Sequence, residues 1–117
     1  MTRPNDASLS VLDQPQISAG LFHPRPEPGG YGAVTGTNVA VPVAEGVTLG
    51  ARFHLQSPTA AKVLFFHGNG EIVADYDTQA PLNNRLAVNF LCLDNRGYGR
   101  SQCTPSVTTM LSDARAA

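Results

Sequence analysis

Two short segments hold most of the residues whose types and spacing could do chemistry. The first is His67-Gly68-Asn69-Gly70-Glu71, directly behind an apolar run at 62–66. Glycines just after a strand let the backbone turn sharply and leave N–H groups facing outward. Such groups can bind a developing oxyanion or a phosphate. A plain strand-to-helix turn uses the same residues. The second is Asp94-Asn95-Arg96-Gly97-Tyr98-Gly99-Arg100-Ser101, where two glycines flank a tyrosine after a strand that ends at Asp94. It is expected to be a tight structural loop in which Asp94 and Arg96 pair and fix the backbone. Cys92 falls inside an apolar strand and reads as a small core residue. Cys103 falls in a loop and reads as an incidental thiol. His23 and His54 read as surface residues, His54 on the wet face of its strand.

The elements that must position these residues follow from periodicity. Residues 1–36 are rich in Pro, Gly, Ser and Thr. They read as an arm on the surface, ordered only where Leu21 and Phe22 can dock. Residues 37–117 read as the domain proper. Asn38-Val39-Ala40-Val41-Pro42-Val43 is a short strand, with Pro42 placing it at an edge or near its end. After a Glu45-Gly46 turn, Val47, Leu49, Ala51, Phe53 and Leu55 alternate with Thr48, Gly50, Arg52 and His54. That period of 2 predicts the second strand of an antiparallel hairpin, with one wet face. Residues 62–66 and 88–93 are apolar throughout, as expected of parallel strands covered on both faces. A helix is predicted between them, starting at Asp77-Thr78 and ending near Ala87. A last helix is expected from Thr104-Pro105, with Val107, Met110, Leu111 and Ala114 on one stripe. Hairpin, strand, helix, strand, helix is an α/β order.

Composition limits the function classes. The chain has 117 residues, 42% of them apolar and 15% charged, so it is one domain at most and can build a core. A net charge of -1 argues against an electrostatic nucleic-acid binder. No apolar run is long enough to span a membrane, and no signal peptide is visible at the N-terminus. Two cysteines give neither a disulfide framework nor a paired metal motif. A cytoplasmic protein is expected.

Together the two segments resemble the α/β-hydrolase superfamily. His67-Gly68-Asn69-Gly70-Glu71 resembles the oxyanion loop after its third strand. Asp94 to Ser101 resembles the Asp-x-Arg-Gly-x-Gly-x-Ser segment after its fourth. Leu21-Phe22-His23-Pro24-Arg25-Pro26 is similar to the upstream arm of a bacterial-type subgroup with an HGNGE loop. The resemblance covers about residues 21–117 and implies a serine hydrolase acting on a small-molecule ester or related acyl bond, with no metal or cofactor. It implies an oxyanion donor at the Asn69 N–H, shaped by Gly68 and Gly70, with no requirement for the Asn69 side chain. His67 would orient the loop. It comes too early for the triad histidine, because the family order is Ser, Asp/Glu, His. The family's Gly-x-Ser-x-Gly elbow is absent. Gly99-Arg100-Ser101-Gln102-Cys103 is a near-match that fails, since Cys103 replaces the second glycine and the preceding strand ends too far back. The triad acid and histidine are absent too, so the chain itself is expected to be inactive. The last helix also meets the C-terminus without a stop signal, and an incomplete domain is expected. The resembled fold flanks its third strand with a fifth that is not encoded here, which would leave Val63, Leu64, Phe65 and Phe66 on an open edge.

Two other classes fit in part. Gly68-Asn69-Gly70 between strand and helix, with Asp94 24 residues after Gly70, imitates a dinucleotide-binding fingerprint, although Val73 stands where the third glycine belongs. A non-catalytic hydrolase-like binding module is the other.

Overall fold

The structure is a computed structural model. It describes residues 6–28, 36–79, 82 and 85–117. Four strands form one mixed sheet in the order β1-β2-β4-β3. They are β1 (Thr37–Ala44), β2 (Val47–His54), β3 (Ala61–Phe66) and β4 (Val88–Leu93). The β1/β2 hairpin is antiparallel, as the alternation predicts. Pro42 lies on the outer strand beside an irregularity in register between Pro42 and Ala44, where its missing N–H costs the ladder least. β4 runs antiparallel to β2 and parallel to β3.

Part of the β3–β4 crossover is described. It opens with a 3-10 turn at Val73–Tyr76, ahead of the predicted helix start, and residues 77–79 continue as turn. Residues 80, 81, 83 and 84 of the predicted 77–87 helix lie outside the described residues. The arm contains α1 (Asp6–Leu9), a 3-10 turn (Ser10–Asp13) and α2 (Pro15–Leu21). The last helix, α3, is Val107–Ala116. It starts later than Thr104-Pro105 because Ser106 is its N-cap: the extended Ser106 (φ -147°) turns its Oγ back to accept the Thr109 N–H. The predicted stripe Val107, Met110, Leu111 and Ala114 is half-buried, and the buried residue of α3 is Asp113.

The two sheet faces are covered unequally. Leu49 and Ala51 of β2 join Leu93 of β4 in one cluster, with Val41, Val43 and Leu91 against it. On the opposite face, Phe90 and Cys92 pack with Val73, Phe65 and Tyr76. β3 lies at the edge of the sheet, as expected of it without a fifth strand, but it is not covered on both faces. Among the described residues it pairs with β4 alone, and Val63, Leu64 and Phe66 are 40%, 43% and 38% exposed. An apolar run therefore marks an edge strand here, not one covered on both faces.

The expected wet face of β2 is also not wet. Arg52 and His54 are 2% and 1% exposed. The arm, the crossover and β1 each supply a partner: Glu27 accepts from Arg52 Nη2 at 2.6 Å, while Asp77 accepts from Nη1 at 2.8 Å and Asn38 from Nε at 3.0 Å. All three guanidinium nitrogens are thus occupied, as a buried charge requires. The arm is ordered well beyond Leu21 and Phe22. Phe22 packs on Ile72, Ala74 and Tyr98, Leu21 stays exposed, and Asp13 accepts from the Thr108 N–H at 3.2 Å. Residues 1–5 and 29–35 of the arm lie outside the described residues.

Candidate functional site

Parallel pairing of β3 and β4 puts the two chemistry-bearing loops at the same end of the sheet, since both leave the C-terminal ends of those strands. His67 joins them. The Asn95 N–H donates to His67 Nε2 at 3.1 Å, so Nε2 is an acceptor and the ring proton sits on Nδ1. Nδ1 then donates to the Gly68 carbonyl at 2.8 Å. The ring lies 5.0 Å from the Tyr98 ring, centroid to centroid. Asp94 Oδ1 is 3.6 Å from Nε2, a neighbour rather than a partner, because Nε2 already accepts from Asn95. His67 therefore orients the loop through both of its nitrogens.

Glu71 closes the loop from the other side. Its Oε1 accepts the Gly68 N–H at 2.5 Å, and its carboxylate accepts the Tyr76 hydroxyl at 2.8 Å. Burial and that carboxylate push the Tyr76 phenol up to about 12. A Cβ on Gly68 would lie 2.3 Å from Glu71 Oε1 and would push that carboxylate aside, while Gly70 turns the chain at φ +76°, where glycine is favoured. Among the described residues no acceptor takes the Asn69 or Gly70 N–H. Asn69 itself is exposed.

The Asn69 side chain has more to do than the sequence implied. Its Oδ1 accepts from the Tyr98 hydroxyl at 2.8 Å and the His23 N–H at 3.1 Å, and its Nδ2 donates to the Leu21 carbonyl at 2.5 Å. These partners are missing from any local reading, because two of them lie 46 and 48 residues away.

The expected Asp94–Arg96 pair does not form. Arg96 reaches Asp113 instead, with Nε and Nη2 donating at 2.9 and 2.7 Å, and so ties the loop to α3. Asp94 is turned inward, 2% exposed, and accepts the Val73 N–H at 2.8 Å. Burial raises its carboxyl above the ordinary value of 3.8. Its carboxylate lies where a Cβ of Gly99 would be, at 2.1 Å from Oδ2, and Gly99 has φ +53°. Gly97, at φ +84°, is closed in by Pro105. The Ser101 Oγ donates to the Asp94 carbonyl at 2.7 Å and accepts the Gly50 N–H at 2.9 Å. Both functions of that hydroxyl serve the joint between β2 and β4. Cys92 is buried, its thiol pushed up to about 12 by burial and by Asp94, and Cys103 is exposed.

Two depressions on the described surface, of about 290 and 560 Å³, are lined by residues other than 67–71. Among the described residues no group of His, Cys, Asp and Glu is placed to hold a metal ion, and no helix is long and apolar enough to cross a membrane. Fold and loops together define a small α/β domain with a four-stranded mixed sheet. No family model matches the chain, and no solved structure matches it significantly.

Proposed function

We propose that these residues form the oxyanion-loop part of an α/β-hydrolase-like serine hydrolase that cleaves an ester or related acyl bond. The observation that carries the reading is the Asn69 N–H. It follows a parallel strand, in a loop fixed on both sides, and no described residue accepts from it. The Gly68 N–H beside it is consumed by Glu71. In the proposed reaction a serine oxygen attacks the acyl carbonyl, a histidine takes its proton and passes it to the leaving group, and a carboxylate orients the histidine; water, deprotonated by the same histidine, then releases the acid from the acyl-serine and the proton returns to the serine. The Asn69 N–H stabilises the oxyanion of the tetrahedral intermediate. The nucleophile, histidine and acid are supplied from outside residues 1–117. The dinucleotide alternative would need Asp94 facing a ribose, and its buried carboxylate, engaged by Val73, weighs against that role.

The test is fluorophosphonate labelling of the gene product as expressed from its natural locus, beside the 117-residue chain. Labelling is expected on a serine outside residues 1–117 and is absent from Ser101. Gly70→Val should slow it about 10²–10³-fold, the usual cost of one lost oxyanion donor. Stoichiometric labelling of Ser101, or a folded Gly70→Val protein labelled at the normal rate, refutes the reading.

A further inference from the structure

The segment 21–27 crosses both loops, and each polar contact it makes there is specific. The Leu21 carbonyl and His23 N–H hold the Asn69 side chain. The Arg25 Nη1 donates to the Gly70 carbonyl at 3.2 Å and to Asp75 at 2.6 Å, while Nη2 reaches the second Asp75 oxygen at 3.2 Å. The Arg25 carbonyl accepts the Gly99 N–H at 2.8 Å. Asp75 in turn accepts the Ile72 N–H at 3.0 Å, where the chain leaves the loop. The Asn69–Gly70 turn is thus bracketed: Asn69 is held through its side chain and Gly70 through its carbonyl, both by one short strap.

We infer that Arg25 is a positioning residue, which fixes the Gly70–Glu71 peptide plane, and with it the Asn69–Gly70 turn, by binding the Gly70 carbonyl and the Asp75 carboxylate with one guanidinium. A planar fork can hold both acceptors at once, and a lysine ammonium cannot reproduce that geometry. Arg25 holds the Asp75 carboxyl below its ordinary 3.8, as a direct fork contact does. Its consequence for acyl transfer rests on the hydrolase reading. The strap itself does not.

Amide hydrogen exchange at micromolar concentration, read on peptic peptides of the 117-residue chain, tests it. The Glu71, Ile72 and Asp75 amides bond to the Gly68 carbonyl, the Asp75 carboxylate and the Ile72 carbonyl. In Arg25→Met they should exchange about tenfold faster, while amides of β4 keep their wild-type rates. Arg25→Lys, which retains the charge and the stem, should show most of the same acceleration. General destabilisation would instead speed β4 and the loop together. Unchanged loop exchange in both variants, parallel acceleration of β4, or full rescue by lysine overturns the assignment. Such a failure leaves the hydrolase reading to the labelling experiment, which does not depend on Arg25.

Discussion

Adding one methyl group at Gly99 should damage this domain far more than adding it at Gly46. Both glycines have positive φ, +53° and +70°, so alanine at either pays the left-handed penalty of roughly 1–2 kcal/mol. Gly46 has no atom within 4 Å of the new Cβ, and the effect ends there. At Gly99 the Cβ would lie 2.1, 2.5 and 2.7 Å from Asp94 Oδ2, Cγ and Oδ1. The carboxylate must move. It is buried and accepts the Val73 N–H, so moving it strands a donor and a charge, at roughly 1–3 kcal/mol. Gly99→Ala should therefore cost about 2–5 kcal/mol, a large share of the ~5–15 kcal/mol that holds a typical domain.

Urea unfolding followed by circular dichroism measures the difference, with Gly46→Ala as reference. An m-value of about 1–3 kcal/mol/M converts the excess into a midpoint shift of the order of 1 M. A double-mutant cycle isolates the cause. In an Asp94→Ala background the clash is gone, and Gly99→Ala should fall back to the Gly46→Ala value. Equal costs at Gly46 and Gly99 in the wild-type background, or full additivity with Asp94→Ala, would falsify the proposed contact.

Arg52→Met should destabilise by about 3–5 kcal/mol, because it takes the guanidinium from the Asp77 carboxylate and leaves Glu27 with Arg100 alone; a melt within 1 kcal/mol of wild type refutes this. Burial lowers the His54 imidazole below its ordinary 6.5, with Asp77 pulling upward and Arg52 downward. The unfolded chain then takes the proton first, so this contribution is complete above about pH 6.5 and is lost as pH falls. Asp94, raised by burial, acts in the opposite sense above 3.8, so the measurement is the difference between wild type and His54→Gln in urea melts at pH 7.5 and 5.5. Identical pH dependence in the two proteins removes His54 from the account. Finally, the open β3 edge should make the chain bind ANS and self-associate on size exclusion, and Leu64→Lys should reduce both. A wild-type monomer silent to ANS contradicts that.

The strands were legible because side-chain alternation and apolar runs are local. The period of 2 across β2, the Pro42 edge signal and the two apolar runs each placed an element close to where it lies. What covers those strands was not legible. Arg52 and His54 look like outward residues by period, and Glu27 and Asp77, each 25 residues from Arg52, help make that face an interior. The same limit explains Arg96. Asp94 is its near neighbour in sequence, but the Gly99 approach and the Val73 N–H turn Asp94 inward, and Asp113 takes the guanidinium. For the candidate loop, the glycine spacing pointed to a tight turn, and Gly70 does take a positive φ. The Asn69 side chain gave no signal, because its bonds to Leu21 and His23 depend on where the arm crosses.

That crossing is held by two kinds of contact with different consequences. Phe22 docks on Ile72, Ala74 and Tyr98 by apolar burial, which tolerates small shifts along the surface. Glu27 reaches into a buried position between Arg52 and Arg100, where a shift of one residue would leave carboxylate and guanidinium both unpaired. Burial raises the Glu27 carboxyl, but the two guanidinium groups outweigh it and hold the carboxyl below its ordinary 4.5. Apolar docking attaches the arm, and the ion cluster sets its register. Register is what the candidate loop needs, since Leu21, His23 and Arg25 must each meet a particular atom of Asn69, Gly70 or Asp75. The buried charge of Arg52 thereby bears on the loop after β3, through the strap that connects them.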